Sequence, residues 1–556
     1  MNFTDLGYLR CAAVSPQVHI GNASANTDEI LRLANNLHAE GVSLAVFPEL
    51  CLTGYSAEDL FFSQELLKNT LSAMSRLAAE NPLPLLIVGT PWQTQDGRLL
   101  NCAAVFDTSG LLGLVPKSHN PNHGEFYDLR WFANGGAVNE SLNHPALGHF
   151  QLRRDQLFKL GETFIGIEIC EDLWAPEPPN TQACLAGAEV MVNLSASNEL
   201  IAKADYRRDL VRMTSARGLC SYIYAAAGSS ESTKDIVFGG HCLIAENGQI
   251  LAESERFNLA AHTLVADIDL DLVRHERLQN TTFRGTPRGR PFRTVPARSE
   301  PMPLPHLSRS YSRNPFVPSD EQAFAARAQE IMLIQKTGLA RRMRSAHSEQ
   351  LVIGLSGGLD STLAYLVCLD ALAELGLPVA NLQALTLPGP GTTQRTLNSA
   401  RLLANTTGAT LTEINIEPAV EQHLADLEHA GAHDVVFENA QARERTQILF
   451  NFANKVNGIV VGTGDLSELA LGWCTFNADH MAGYNVNASI PKTLMAYLVR
   501  WYASHRAPQD LAAVLETVLA TPISPELIPP KDGEISQKTE AIVGPYELHD
   551  FFLFHF

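Results

Sequence analysis

A six-residue turn, Ser356-Gly357-Gly358-Leu359-Asp360-Ser361, carries the residue types of a phosphate-binding loop. It lies between an apolar run at 351–355 and a helix-like stretch at 362–375, where a strand would lead into a helix. Two glycines let the backbone approach a ligand closely, and the helix would turn its unpaired N–H groups and positive dipole end towards an anion. The turn therefore predicts a polyphosphate ligand.

The turn differs from the Walker loop, because no Gly-x4-Gly-Lys-Ser/Thr pattern occurs and Asp360 stands where a lysine would be needed. SGGLDS resembles the pyrophosphate loop of the ATP pyrophosphatases, which cleave ATP to AMP and pyrophosphate in order to adenylate an acceptor. A serine- and glycine-rich turn between strand and helix is also common in doubly wound folds without this activity. The resemblance implies ATP contacts from Gly354, Leu355, Ser356, Gly357, Gly358, Leu359, Asp360 and Ser361.

Three groups at predicted strand ends in the first half could form a nucleophilic site. Glu49 closes the run AVFPEL, Lys117 follows LLGLVP, and Cys170 ends FIGIEIC. A nucleophilic thiol needs a base to remove its proton and a cation to stabilise the thiolate and the oxyanion that forms on attack. Each residue alone is more often structural or a surface charge, so the prediction depends on the three occurring together.

In the order FPEL, PK and CEDLW, these residues resemble the Glu-Lys-Cys triad of the nitrilase superfamily, over roughly residues 5 to 280. The resemblance implies Glu49 as general base, Lys117 as stabiliser of the oxyanion, and Cys170 as nucleophile towards an amide. Glu125 is the candidate for a second glutamate beside the lysine. His123 stands where relatives have tyrosine, and Lys203 where they have arginine, which loses the bidentate fork. The glutamine contacts implied are Tyr55, His123, Glu125, Ser197 and Lys203.

Three motifs of the second half, at 437–445, 462–473 and 484–493, resemble the NAD synthetases, and the whole chain resembles the glutamine-dependent members of that family. The resemblance implies that Asp360 and Glu468 hold Mg²⁺, a hard cation that prefers oxygen ligands. It also implies ATP contacts from Thr463 and Lys492. The deamido-NAD contacts implied are Asn439, Arg443, Glu468, Trp473, Cys474, Thr475, Phe476 and Asp479.

An amidase joined to an ATP pyrophosphatase implies an amidotransferase, in which glutamine supplies ammonia and ATP activates a carboxylate. On the resemblance the acceptor is deamido-NAD and the product NAD. Two alternatives stay open: a related enzyme with another carboxylate or nucleobase acceptor, and a nitrilase-like amidase fused to a nucleotide-sensing module. The carboxylates Asp360 and Glu468 argue against the sensor, which has no need of groups that organise Mg²⁺.

Both halves alternate short apolar strands with amphipathic helices, which predicts α/β domains. The resemblances imply a nitrilase-like αββα sandwich at 1–283 and a Rossmann-like doubly wound parallel sheet, of the adenine nucleotide α-hydrolase type, at 319–556. Residues 284–318 are crowded with proline and arginine and predict an extended connector. Its arginines could form a nucleic-acid patch, but more simply lie against the acidic body of this or a neighbouring subunit. Strands are predicted at 44–47, 85–88, 164–169, 190–194, 222–226, 351–355, 382–387, 411–416 and 458–462.

The composition is typical of a globular enzyme: 556 residues, 45% of them hydrophobic, suffice for two or three domains. A net charge of −19 argues against a nucleic-acid partner. The chain has no apolar run long enough to cross a bilayer, and its first residues do not resemble a signal peptide. We therefore expect a cytoplasmic enzyme without a membrane partner. Nine cysteines without a C-x-x-C pair predict free thiols.

The resemblance also implies a homo-oligomer, either an octamer or another assembly based on dimers. Relatives of this two-domain class continue beyond the motif at 544–550 and carry there a further lysine that reaches deamido-NAD. The sequence ends instead on the apolar run FFLFHF. We expect this run to reflect a shortened chain or to be covered at an interface.

Overall fold

The computed structural model describes residues 1–318, 320–521, 527 and 539–556. The chain forms two compact units, Met1–Ser310 and Tyr311–Phe556. The division falls inside the predicted connector, so most of that segment belongs to the first unit.

The first unit contains two sheets and the helices that cover them. Its strands are β1 (Tyr8–Ser15), β2 (Leu44–Val46), β3 (Leu85–Gln93), β4 (Leu99–Asp107), β5 (Gly110–Pro116), β6 (Asn139–His144), β7 (Gly148–Arg153), β8 (Gln156–Leu160), β9 (Thr163–Ile169), β10 (Val190–Ser195), β11 (Ser221–Ala226), β12 (Leu243–Glu246), β13 (Gln249–Glu253), β14 (His262–Asp269) and β15 (Arg293–Pro296). Its helices are α1 (Ala23–Ala39), α2 (Gln64–Glu80), α3 (Pro179–Ala186), α4 (Lys203–Gly218), α5 (Leu270–Gln279) and α6 (Thr281–Gly285).

The two sheets have mixed strand directions. The order in the first sheet is β14-β1-β2-β3-β4-β5-β7-β6, and in the second β13-β12-β11-β10-β9-β8-β15. The central strands β1, β2 and β3 are parallel, as are β9, β10 and β11. The residues that follow β2 and those that follow β9 and β10 supply most of the site described below.

The two sheets pack face to face between outer helices. Successive side chains of a strand point to opposite faces, so Ala13 of β1 joins Val192 of β10 in the cluster between the sheets, whereas Val14 faces α1 and α2. On the far side of the second sheet, Tyr222 packs with side chains of α3 and α4. The predicted αββα sandwich is confirmed.

Part of the predicted connector is ordered against the first unit. β15 pairs in parallel with β8 at the edge of the second sheet. Further along, Arg309 Nη1 contacts Glu246 Oε1 at 2.7 Å, and the N–H of Ser308 donates to Asp267 Oδ2 at 2.6 Å. This arginine therefore lies against an acidic side chain of its own subunit, the simpler of the two predictions for the segment.

The second unit is built on one parallel sheet of order β18-β17-β16-β19-β20. Its strands are β16 (Gln350–Gly354), β17 (Leu382–Thr386), β18 (Thr410–Glu413), β19 (Gly458–Gly462) and β20 (Tyr484–Asn485). Its helices are α7 (Glu321–Ala346), α8 (Leu359–Leu375), α9 (Gln394–Thr407), α10 (Glu417–Asp426), α11 (Val435–Val456), α12 (Leu466–Leu471), α13 (Lys492–His505), α14 (Gln509–Leu519), α15 (Thr539–Val543) and α16 (Tyr546–His555).

Helices cover both faces of this sheet. Ile353 of β16 is buried with residues of α7, α8, α13 and α14, whereas its neighbour Val352 is buried on the other face with residues of α10 and α11. The second unit is therefore doubly wound, as predicted. Among the described residues, no helix of either unit is both long enough and apolar enough to cross a membrane.

Candidate active sites

The predicted nucleophile, Cys170, lies directly after β9. It opens a short 3-10 helix, Cys170–Trp174, with a φ of 44°, a left-handed conformation that costs a non-glycine residue about 1–2 kcal/mol. The N–H of Cys170 donates to Asn193 Oδ1 at 3.2 Å, which helps to hold the turn. The thiol is buried.

The Cys170 thiol needs a base. Burial is the largest effect on it and raises its pKa to about 12; Glu49 adds to the rise, and Lys117 opposes it. Because the thiolate is the nucleophilic form, the protonated thiol must lose its proton before it attacks. Glu49 and Lys117 are both close enough to act on the charge of this thiol.

Glu49 and Lys117 form a buried ion pair beside this thiol. Lys117 Nζ donates to Glu49 Oε1 at 2.5 Å. Glu49 also accepts from Asn101 Nδ2 at 2.7 Å and from the N–H of Ala196 at 2.9 Å. Burial alone would lower the pKa of Lys117, but the neighbouring carboxylates outweigh it and hold that pKa well above its usual value. Lys117 is therefore a cation at any physiological pH.

The second carboxylate beside Lys117 is Asp128, and this corrects the prediction that Glu125 lies there. Asp128 Oδ2 accepts from Lys117 Nζ at 3.2 Å, and its other oxygen accepts from Tyr55 OH at 2.7 Å. The carboxylate of Glu125, three residues earlier, contacts Asn198 instead. The chain turns between the two positions and gives only Asp128 access to the lysine.

Two of the predicted glutamine contacts, Glu125 and Lys203, lie close to each other and share the side chain of Asn198. Asn198 donates to Glu125 and accepts from Lys203 Nζ at 2.5 Å. The same ammonium lies 5.6 Å from the ring centre of Phe126 and 5.5 Å from that of Trp174. Burial is the main reason that the pKa of Lys203 is lowered. A cation between two aromatic faces, with a carboxylate nearby, can hold the charged end of an amino acid.

The remaining predicted glutamine contacts differ in their surroundings. Ser197 is buried, and its Oγ accepts from Arg207 Nη2 at 3.2 Å. Tyr55 is buried and lines the cavity described next. The His123 side chain is 71% exposed, and its Nε2 lies 4.0 Å from Glu171 Oε1.

A cavity of about 420 Å³, including its open mouth, lies beside these groups. It borders two side chains of the ion-pair network, Tyr55 and Asp128, and the predicted contact Glu125. The other lining residues are Ser56, Glu58, Phe126, Tyr127, Trp131, Ser232, Lys234, Asp235 and Ile236. An enclosed thiol with a base and a cation, next to side chains that line a cavity, is suited to acyl transfer from a small amide.

In the second unit, the glycine-rich turn links β16 to α8 as predicted. Gly357 has a φ of 83°, and a Cβ atom there would lie 2.2 Å from the carbonyl oxygen of Thr396, so neither the conformation nor the space admits a side chain. Ser356 Oγ and Ser361 Oγ are 3.0 Å apart, and the N–H of Gly358 donates to Ser356 Oγ at 3.2 Å. The turn places two hydroxyls at the start of a helix, an arrangement suited to phosphate.

Three carboxylates surround Lys492 at the end of this turn. Its Nζ lies 2.8 Å from Asp360, 2.5 Å from Asp465 and 2.9 Å from Glu468. Burial, followed by repulsion from Asp360, raises the pKa of Glu468 to about 8. One oxygen from each carboxylate lies within 4.8 Å of the others. The sequence predicted the pair Asp360 and Glu468, and the structure adds Asp465.

Asp550 of α16 fastens the two short segments that carry Glu468 and Lys492. Its Oδ1 accepts from Ser467 Oγ at 2.5 Å, and its Oδ2 accepts from the N–H and the hydroxyl of Thr493 at 2.9 and 2.7 Å. The Asp550 side chain is buried. α16 is therefore part of the support of the carboxylate cluster.

Asn487 supports the other side of the same site. Its Nδ2 donates to the carbonyl of Asp360 at 3.0 Å and to that of Thr463 at 3.3 Å. Gln335 of α7 donates to Asn487 Oδ1 at 3.1 Å. The predicted ATP contact Thr463 is thereby held next to the glycine-rich turn.

The predicted deamido-NAD contacts lie on α11 and on the segment after α12. Asn439 and Arg443 line a cavity of about 350 Å³ together with His423 of α10 and Leu427 just after it. Arg443 Nε donates to the carbonyl of Phe476 at 3.2 Å, and the N–H of Thr475 donates to Asp479 at 2.7 Å. Trp473 and Cys474 precede Thr475 in the same segment. These residues are therefore brought together at one surface.

The acidic and amide residues that were not predicted include Asp128, Asp465, Asn487 and Asp550. Asp465 and Asn487 lie inside motifs that the sequence analysis singled out, so a buried polar residue within a motif was the available signal. Asp550 closes the motif at 544–550 and offered the same signal, whereas Asp128 lies in a loop outside the motifs.

Comparisons with known proteins agree with this division. The family model for carbon-nitrogen hydrolase matches residues 10–277, and the model for NAD synthase matches residues 332–553. The glutamine-dependent NAD(+) synthetase of Mycobacterium leprae (strain TN) is 42% identical over 571 residues, which cover 99% of this chain and 83% of the relative. The enzyme of the same name from Mycobacterium tuberculosis (strain ATCC 25618 / H37Rv) is 42% identical over 570 residues, with the same coverage. That from Aquifex aeolicus (strain VF5) is 28% identical over 539 residues, covering 96% and 86%.

Proposed function

Because the chain belongs to the glutamine-dependent NAD(+) synthetases, we propose that it hydrolyses L-glutamine to ammonia in its first unit and uses that ammonia, with ATP, to convert deamido-NAD⁺ to NAD⁺ in its second. The observation that carries the proposal is the occurrence of both constellations in one chain. One is the enclosed Glu49–Lys117 pair beside Cys170, and the other is the glycine-rich turn beside Asp360, Glu468 and Lys492.

In the first unit, Glu49 takes the proton of the Cys170 thiol as the sulfur attacks the side-chain amide of glutamine. Lys117 stabilises the oxyanion, and Glu49 returns the proton to the departing ammonia. Water, activated by Glu49, then hydrolyses the thioester to release glutamate. Tyr55, His123, Glu125, Ser197 and Lys203 are the proposed glutamine contacts; the lysine between two rings suits the substrate's carboxylate.

In the second unit, the deamido-NAD carboxylate attacks the α-phosphate of ATP, and pyrophosphate leaves. Ammonia then attacks the acyl carbon of the adenylate and AMP leaves. Ser356, Gly358 and Ser361 hold the departing pyrophosphate, and Lys492 neutralises charge on the α-phosphate. Further ATP contacts come from Gly354, Leu355, Gly357, Leu359 and Thr463, and deamido-NAD contacts from Asn439, Arg443, Glu468, Trp473, Cys474, Thr475, Phe476 and Asp479.

The carboxylate cluster fits Mg²⁺. Asp360 and Glu468, with Asp465, offer three oxygens within 4.8 Å of one another, the hard donor set that this cation prefers. The ammonium of Lys492 balances only part of their charge. Bound there, Mg²⁺ would supply neutralisation of the triphosphate charge.

We propose a cytoplasmic homo-oligomer. Support for the assembly comes from the apolar face of α16, where Phe552 and Phe554 are 63% and 47% exposed. Analytical ultracentrifugation tests it: a stable monomer at micromolar concentration would contradict the assembly and leave the catalytic proposal intact.

The experiment that tests the function supplies ATP, Mg²⁺, deamido-NAD⁺ and either glutamine or ammonia, and measures NAD⁺, AMP and pyrophosphate. Cys170→Ala is expected to lose glutamine-dependent synthesis by several orders of magnitude and to retain ammonia-dependent synthesis. The rescue should improve as pH rises, because neutral ammonia is the nucleophile. Cys242→Ala is the matched control, since that thiol is also buried with a pKa raised to about 12, chiefly by burial. A Cys170→Ala enzyme that still uses glutamine would refute the assignment.

A further inference from the structure

A buried carboxylate without a role in the proposed reaction, Asp172, joins two catalytic strand ends. Its Oδ1 accepts from the N–H groups of Ser118 at 3.1 Å and of His119 at 2.8 Å. Its Oδ2 accepts from the N–H of Ile169 at 3.1 Å. Ser118 and His119 directly follow Lys117, and Ile169 directly precedes Cys170. One side chain thus bonds the main chain next to the cation and next to the nucleophile.

This bond crosses between the two sheets. Lys117 follows β5 of the first sheet, and Cys170 follows β9 of the second. Within residues 1–310, all of which the structure describes, no ladder of main-chain hydrogen bonds joins β5 to β9. The distance between Lys117 and Cys170 must therefore be fixed by side chains, and Asp172 is placed to fix it.

We propose that Asp172 is a positioning residue of the glutaminase site, which holds Lys117 in place against Cys170 and so governs formation of the glutamyl thioester rather than binding of glutamine. This inference rests on the proposed function of the same site.

Two observations argue that Asp172 does more than stabilise its own turn. Its partners Ser118 and His119 lie more than fifty residues away in the chain, so they contribute nothing local to the helix that Asp172 belongs to. In addition, a buried carboxylate is an expensive way to link two segments. Cys170, with its positive φ, is held on one side by Asn193 and on the other through Ile169 by Asp172. The energetic cost of burying the Asp172 carboxylate is therefore incurred next to the nucleophile, whose position decides the rate of attack.

Asp172→Asn tests the inference, with Asp107→Asn as the matched control. Asp107 is also buried, and it also links distant main-chain segments, since it accepts from the N–H groups of Ser109 and Arg298, both at 2.7 Å. It takes no part in either site.

For Asp172→Asn we expect kcat for glutamine hydrolysis and the rate of Cys170 alkylation by iodoacetamide to fall about 100-fold, as for a misplacement of about 1 Å. The KM for glutamine should stay within about twofold of the wild-type value, and ammonia-dependent synthesis should be unchanged.

For Asp107→Asn, kcat should stay near that of the wild type even where the melting temperature falls as much as in Asp172→Asn. The inference is overturned if Asp172→Asn keeps its kcat, if it changes KM alone, or if both variants lose kcat equally. If Asp172→Asn does not fold, His119→Pro is the second test. The substitution removes the N–H that donates to Asp172, at a residue whose own side chain is exposed. It should also lower kcat, and an unchanged kcat would overturn the inference. Cys170→Ala distinguishes failure of this inference from failure of the proposed function. If that variant still used glutamine, the proposed function itself would be refuted.

Discussion

Lys117 and Glu49 are joined at 2.5 Å in an ion pair whose side chains are 1% and 0% exposed. The proposed base is therefore fixed before substrate arrives, with Oε1 shared by Lys117 and Asn101 and Oε2 bound to the N–H of Ala196. Such a pair is costly to break, since removing one partner of a buried pair costs about 3–5 kcal/mol. It also means that the proton leaving Cys170 arrives on a carboxylate already adjacent to a positive charge.

Glu49→Gln is expected to lower the rate of glutamine hydrolysis by about 10²–10⁴-fold, the usual contribution of a positioned base. The amide retains the shape of the carboxylate but cannot take the proton of the Cys170 thiol, whose pKa burial raises. Ammonia-dependent NAD⁺ formation should be unchanged. In the variant, alkylation of Cys170 should accelerate about tenfold per pH unit above neutrality, because thiolate then forms only by ionisation in solvent. A pH-independent alkylation rate would show that the thiol does not depend on this base.

The KM for glutamine is expected to rise with pH through the deprotonation of Lys203. Burial lowers the pKa of this lysine, and so does Arg207, although Cys170, Glu125 and Glu199 act in the opposite direction. A base with a lowered pKa loses its charge at a lower pH than an ordinary lysine, and the carboxylate of glutamine then loses its counter-ion. Lys203→Arg should flatten the profile, because the guanidinium stays charged. Parallel profiles for the two enzymes would exclude Lys203 as the titrating group.

Asp360→Asn is expected to abolish release of pyrophosphate while glutamine hydrolysis survives at its basal rate, because an amide cannot balance the charge of Mg²⁺. Asp370→Asn is the control on the same helix, where Asp370 contacts Arg506 at 2.7 Å and Tyr502 at 3.1 Å. Pyrophosphate assays on both variants make the comparison. Normal release by Asp360→Asn would remove this residue from the metal site.

Asp550→Asn is expected to slow adenylation by about 10–100-fold without affecting glutamine hydrolysis. The amide can accept on one side only, so the bond from Ser467 or the pair from Thr493 is lost, and Glu468 and Lys492 are less firmly positioned. Glu547→Gln, on an exposed position of the same helix, should be silent. Equal rates for the two variants would show that α16 does not support the site.

The catalytic residues at the strand ends could be predicted from the sequence, because each follows closely after an apolar run that forms a buried strand. Glu49, Lys117 and Cys170 each come within three residues of a buried strand, so alternation and apolar runs located them. The same reasoning predicted β16 and the turn to α8 nearly to the residue.

Asp128 shows where that reasoning stops. The eleven residues between β5 and the short turn Asp128–Arg130 form no helix or strand, so which acidic residue faces Lys117 depends on how the loop folds. Glu125 and Asp128 are equivalent by type, and only packing separates them. β15 was not predicted for a related reason: its proline is unfavourable in a central strand, and its place at the sheet edge is set by β8.

The bond between Asp550 and Thr493 has a consequence for the order in which the enzyme matures on the ribosome. Every residue proposed for glutamine hydrolysis lies before position 204, whereas the carboxylate cluster lacks its support until α16 has been synthesised. At about 5–20 residues per second, tens of seconds separate the two events. A nascent chain thus carries all of its ammonia-releasing residues well before the site that would consume the ammonia is supported. Wasteful glutamine turnover during translation is avoided only if the thiol stays idle until the second unit has folded.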